Sequence, residues 1–421
     1  MSAAASSRHP LASLTRDGRL LFAARIGRLF AYGLISVVLV LYLAQLGYSE
    51  TQIGVLLTLT LIGDVAISLW LTTRADRIGR RRMLMIGAGL MLAAGAVFAF
   101  TGAFWLLLLA ATIGVISPSG NEVGPFLPIE QAALSHVVGD EHRTGVFAWY
   151  NLVGSFATAL GALCGGWLAG AARHGFVRDG MEVGLASLYG YRIVILAYAA
   201  GGLLLLYQFW RLSPAVEVDN KHLPPPSLLG LPKSRKVVLK LSGLFALDAF
   251  GGGFVIQAIV AGWFHVRFGA PVELIGTIFF GANILAGVSA LSATWLAKRI
   301  GLINTMVFTH LPSNVLLILV PLMPNLTLAI VMLLLRFSIS QMDVPTRQSY
   351  TMAVVTPEER SAAAGVTGVA RSVGAALSPL FTGYLQAASL LAAPFFISGG
   401  LKIVYDLLLY RAFSKSQAEK K

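Results

Sequence analysis

Charge is scarce in this chain. Only 12% of its 421 residues are charged, about half the share of an ordinary soluble protein. That shortage excludes a soluble enzyme, a disordered chain and a nucleic-acid binder, despite a formal net charge of +13. Cysteine is almost missing. Cys164 stands alone, which excludes a disulfide framework and any cysteine-based metal or redox centre. Histidine is sparse too, and His265 and His310 are isolated and read as structural, so no metal site and no cofactor are expected. There is no phosphate-binding glycine loop, no paired catalytic carboxylates and no nucleophile elbow. No enzyme is expected.

What the chain has instead is apolar length. Hydrophobic residues make up 56% of it, and the 44 glycines suit helices that pack closely in lipid. A membrane helix needs about 20 mostly apolar residues. Runs of that kind fall near 22–46, 51–73, 82–101, 104–134, 144–170 and 190–210. After a polar stretch with Pro224-Pro225-Pro226, more follow near 237–264, 272–297, 302–323, 326–349, 362–388 and 390–411. The organisation expected is a polar segment 1–21, a six-helix bundle 22–210, a linker 211–236, a second bundle 237–411 and a tail 412–421. Residues 1–20 show no cleavage site, so the first run is expected to stay as a span.

Basic residues orient the spans. With both termini in the cytoplasm, 25 of the 32 lysines and arginines fall on that side, as membrane topology favours. This explains the net charge without nucleic acid. The expected partners are the lipid bilayer and a small-molecule substrate, and a monomer is expected. Short loops favour a bacterial inner membrane.

The two halves repeat. Shifted by 217, Pro128-Ile129-Glu130-Gln131 falls on Pro345-Thr346-Arg347-Gln348, Glu141 on Glu358, Arg143 on Arg360 and Gly166 on Gly383. Shifted by 222, Ile53-Gly54 meets Ile275-Gly276, and Arg77-Ile78-Gly79 meets Arg299-Ile300-Gly301. Two related bundles in parallel imply a substrate cavity between them.

With these residues in view, the chain resembles the major facilitator superfamily, over essentially its whole length. Asp76-Arg77-Ile78-Gly79-Arg80-Arg81 is similar to that family's signature between spans 2 and 3, with Thr72 in place of the leading glycine. The resemblance implies a conformational latch at Asp76, Arg77, Gly79 and Arg80; a plain cytoplasmic anchor would use the same residues. Gly161-Ala162-Leu163-Cys164-Gly165-Gly166 resembles the antiporter signature of proton-linked drug exporters, with Ala162 for its proline. Gly161, Gly165 and Gly166 serve helix packing equally well. The arginine that such exporters carry in span 4 is Ala110 here. The fold implied is all-α and integral to the membrane, twelve helices in two pseudo-symmetric bundles.

Ionisable residues inside a span are functional candidates by default. Burial of an unpartnered carboxylate favours its protonated form, so Asp248, Glu122 and Asp343 are candidates for handling protons or cations. A satisfied pair with Arg28, Arg336 or Arg371 is the alternative for any of them. Glu130 and Arg347 occupy matching places in spans 4 and 10 and are expected to close a cytoplasmic gate between the halves, unless each pairs within its own half. Lys402 and Asp406, four apart, are expected to neutralise each other. Asn121, Gln257, Arg336, Trp149 and Tyr150 are cavity candidates. The function expected is secondary transport by alternating access, as proton-coupled export of a small organic solute. An uptake symporter, a uniporter and a non-transporting sensor or scaffold stay open.

Overall fold

A computed structural model describes residues 14–121, 124–138, 140–217, 233–356 and 359–418. Every regular element among them is helical. The first half holds α1 (Arg16–Gln45), α2 (Glu50–Ile78), α3 (Arg80–Phe100), α4 (Phe104–Ile113), α5 (Phe126–Val137), α6 (Asp140–Arg178) and α7 (Val183–Trp210). The second holds α8 (Arg235–Gly253), α9 (Gln257–Phe268), α10 (Val272–Ile300), α11 (Leu302–Leu319), α12 (Leu326–Ser340), α13 (Asp343–Ala353), α14 (Arg360–Ala387) and α15 (Ala393–Ala418). Among the described residues, ten helical segments are long and apolar enough to cross a membrane by length and composition. The other two spans are α4 with α5, which is broken, and α14, which is diluted by small and polar residues.

Twelve crossings arise from fifteen helices because three spans are broken. The fourth runs as α4 and α5, the seventh as α8 and α9, the tenth as α12 and α13. Prolines and glycines cause the first break: Pro118, Gly120, Gly124 and Pro125 lie between α4 and α5, and proline removes a helical donor. Gly251-Gly252-Gly253 ends α8. Exposed backbone at membrane depth is tolerated only where it lines protein or a water-filled cavity. The run 302–323 forms one span, with α11 continuing through Pro312 to Leu319.

The internal repeat is visible in the geometry. Helix α5 begins at Phe126 and α13 at Asp343, which is the 217-residue offset of the sequence match. Gly79 and Gly301 both cap their turns with positive φ, 117° and 86°, a backbone state open to glycine at little cost.

The two most extensive junctions between the halves are α2 against α14 and α6 against α10, with a smaller one of α1 against α9. Their close approaches lie in the part of the molecule away from the chain termini. A Cβ on Gly54 would sit 2.7 Å from the Pro379 carbonyl oxygen and 3.0 Å from the Gly383 Cα. A Cβ on Gly276 would sit 2.7 Å from the Ala162 carbonyl oxygen and 3.0 Å from the Gly166 Cα. These are equivalent crossings, one per seam. Small residues permit such backbone approach, which drives helix association where lipid is as apolar as leucine. Nearer the terminal face, a Cβ on Gly365 or Gly368 of α14 would meet nothing within 4 Å.

Candidate membrane-embedded ionic site

At middle depth each half carries its own buried ion cluster. In the first half Arg28 of α1 forms a bidentate pair with Glu130 of α5, at 2.5 Å and 2.7 Å. Both side chains are fully buried. The Tyr150 hydroxyl donates to the same carboxylate, and the Arg28 guanidinium stacks over the Phe126 ring at 4.7 Å. Arg25 donates to the Tyr150 carbonyl oxygen at 2.7 Å and to Asn151 Oδ1 at 3.3 Å.

The second half centres on Asp248 of α8, only 2% exposed. Its Oδ1 accepts from Lys402 Nζ of α15 at 2.6 Å. Its Oδ2 accepts from Arg371 of α14 at 3.0 Å and from Arg347 of α13 at 3.4 Å. Arg347 also donates to Asp343, one turn earlier, at 2.6 Å. His310 of α11 bridges outward: its Nε2 is 3.7 Å from Asp248 Oδ1 and its Nδ1 is 2.9 Å from Asp406 Oδ1. Asn314 donates to the other Asp406 oxygen at 3.0 Å. Five helices thus meet on one carboxylate network. Such mutual neutralisation is what permits charge at this depth.

Several expected pairings come out differently. Glu130 and Arg347 are not brought together. Arg28 fills both oxygens of Glu130, and Arg347 is engaged by Asp343 and Asp248 within its own half. Lys402 and Asp406 do not neutralise each other, because Lys402 reaches across to Asp248 and Asp406 faces His310 and Asn314. His310 is a member of the network rather than an isolated core histidine; a histidine without local metal-ligand spacing gave no signal of partners 62 and 96 residues away. Asp248 and Asp343 do meet, through Arg347. Tyr150 is fully buried as the brace of Glu130 and the edge-on neighbour of Phe22, so it does not face an open cavity.

Gln257 opens α9 and ties the halves together. Its Nε2 donates to Ser36 of α1 at 2.8 Å, and its Oε1 accepts from Asn283 of α10 at 3.3 Å. Beside it the Ala258 N–H donates to the Pro118 carbonyl oxygen at 3.0 Å, using backbone freed by the break in the fourth span. Asn121 is exposed at that break and Trp149 is 36% exposed. Arg336 of α12 lies over the Phe337 ring at 4.9 Å, and its Nε is buried without a hydrogen-bond partner. Glu122 lies outside the described residues. Gly161 and Gly165 pack on the backbone of α1 at Phe30 and Leu34, while Gly166 packs on α10.

On the terminal face the turn before α3 is held by Glu217. Its carboxylate accepts from the backbone N–H groups of Arg80 and Arg81, at 2.6 Å and 3.1 Å. The Arg80 side chain donates to the carbonyl oxygens of Ala132 and Val216, each at 3.2 Å. Arg77 is exposed at the end of α2, and the side chain of Asp76 lies outside the described residues. Glu359 performs the same service for α8, accepting from Lys233 and Ser234 N–H at 2.7 Å and 2.9 Å. Anionic groups are stabilised at helix N-termini in this way. Sequence reasoning missed both glutamates, whose helices are reached only through the fold.

The geometry agrees with the relatives of the chain. Residues 21–379 match the description "Major Facilitator Superfamily". The Saccharomyces cerevisiae protein described as "Uncharacterized membrane protein YJR124C" is 32% identical over 425 residues, covering 94% of this chain and 93% of its own. A Na(+), Li(+), K(+)/H(+) antiporter of Planococcus maritimus is 29% identical over 127 residues, 30% of each chain. A bacterial homologue of the human lysosomal transporter Spinster, solved inward-facing and unoccupied, shares the fold with a TM-score of 0.70. It is 17% identical, over 97% of this chain and 96% of that one. Two six-helix bundles, a repeat that aligns them and a match over most of the length lead to one assignment: the chain belongs to the Major Facilitator Superfamily of membrane transporters.

Proposed function

We propose that this transporter exports a small organic solute in exchange for protons, by alternating access between its two bundles. The observation that carries the reading is the sharing of Asp248 by Lys402, Arg347 and Arg371, from three different helices. A proton and these cations compete for the same oxygens. Gain of a proton would therefore loosen α13, α14 and α15 from α8 together, which links protonation to helix movement. Asp343 belongs to the same network through Arg347. The likeness to the antiporter of Planococcus maritimus supports exchange over symport. The distribution of basic residues supports a cytoplasmic terminal face, and on that reading the close approaches of α2 with α14 and α6 with α10 lie on the outer side.

The test is proton flux in proteoliposomes, across a mixed panel of solutes, for the wild type and Asp248→Asn. Solute-dependent proton movement is expected, falling at least tenfold in the variant. Solute movement without proton movement, unchanged by the substitution, would make the protein a uniporter or a carrier of another ion.

A further inference from the structure

The interior of the second half carries more positive charge than its carboxylates can match. Among the described residues, Asp248, Asp343 and Asp406 face Arg336, Arg347, Arg371 and Lys402, with His310 between two of the acids. All three carboxylates are occupied. Asp248 holds Lys402, Arg371 and Arg347; Asp343 holds Arg347; Asp406 faces His310 and Asn314.

Arg336 is the cation left over. It lies ten residues into α12, about 15 Å along the helix at 1.5 Å per residue, too deep to reach the membrane surface. Its guanidinium is within electrostatic range of Asp248 and Asp343 but bonded to neither. The residue is half-buried, its guanidinium lies over the Phe337 ring, and its buried Nε has no hydrogen-bond partner. Arg371 is close to the same two aspartates, spends one nitrogen on Asp248, and keeps 32% of its side chain exposed. A planar guanidinium presents five donors in a fork that fits carboxylate, sulfonate or phosphate oxygens. An unmatched charge at this depth is costly, and a bound anion would remove that cost.

We propose that the transported solute is an organic anion, held by Arg336 together with Arg371. This rests on the transport reading above and supplies its substrate class.

The test uses five probes built on one benzene ring: benzoate, benzenesulfonate, phenyl phosphate, neutral benzyl alcohol and cationic benzylammonium. Binding to the purified full chain is followed by calorimetry, and uptake is followed in phosphatidylcholine proteoliposomes. At least one anion is expected to bind tenfold or more tightly than benzyl alcohol. Arg336→Gln is expected to erase that preference, and Arg336→Lys to retain part of it. The ratio of anion to alcohol affinity separates an anion site from a general loss of folding, which weakens all probes together. The proposal is overturned if no anion outbinds the alcohol, if benzylammonium binds best, or if the preference survives in Arg336→Gln. Loss of the preference on adding phosphatidylglycerol would assign the site to a lipid headgroup and overturn a free solute. An anion that binds but does not cross leaves the site standing and removes the transport reading. Crossing by the alcohol or the amine without anion preference does the reverse.

Discussion

Arg28 and Glu130 show how much one buried pair can carry. Neither side chain touches water, and both carboxylate oxygens are filled by the guanidinium. Removing one partner strands the other charge, at a cost of about 3–5 kcal/mol. Glu130→Ala is therefore expected to lower Tm sharply, and Arg28→Met with Glu130→Leu to recover most of the loss, as thermal unfolding in detergent would show. Glu359 offers a pH-dependent case outside the membrane. The Ser234 hydroxyl and the backbone N–H groups of Lys233 and Ser234 hold its carboxyl below the ordinary value of 4.5. A depressed folded value contributes stability above the unfolded value, lost as pH falls through the folded one. Glu359→Gln should thus lower Tm at pH 7, and the gap to wild type should close as pH drops below 4.5. A gap constant from pH 7 to pH 3 would contradict this account. At this scale the sequence was only partly legible. It marked Asp248, Asp343, Arg347 and Lys402 as charges in the wrong solvent, because depth along a span can be read from hydrophobic runs. It could not say who pairs with whom. Lys402 found Asp248, 154 residues away, rather than Asp406 on the next turn, since the lateral order of helices decides which faces meet.

Elements were easier to read than partners. Span lengths follow from bilayer thickness, and the 217-residue match pairs α5 with α13. The breaks in the fourth and seventh spans were signalled by Pro118, Pro125 and the three glycines at 251–253. The break between α12 and α13 lacks a proline or glycine at Gln341-Met342 and was hidden. The repeat also has a mechanical meaning, because each seam closes on an equivalent glycine pair. A side chain at either pair must displace a helix backbone on the other bundle. Gly54→Val and Gly276→Val are each expected to reduce transport at least tenfold. They should also raise labelling of cysteines placed at the face opposite the termini. Gly365→Ala, which enters open space, should stay within about twofold of wild type, since small substitutions away from packed contacts are usually near neutral. Equal effects at all three positions in the labelling assay would contradict a seam built on backbone contact.

For the whole molecule, the decisive point is where the strong bonds are. The ion pairs with Glu130 and Asp248 stay within one bundle or the other. Neutral hydrogen bonds cross between them, such as Gln257 to Ser36, Ala258 to Pro118 and Trp167 to Thr277, with one longer contact of the exposed His174 to Glu273 at 3.6 Å. Neutral bonds contribute about 1 kcal/mol each, while breaking a buried ion pair costs several times more. Each bundle is thereby stiff inside and loosely tied to its neighbour, the arrangement a rocking carrier requires. The glycine crossings add one more consequence. Where main chain meets main chain at these crossings, no side chain can rotate aside to let a stray ion through. Each elementary charge that slips across a potential of 100 mV dissipates about 2.3 kcal/mol, so a cell housing many copies of a porous carrier would run down its battery. Here insulation is written into four residues that have no side chain at all.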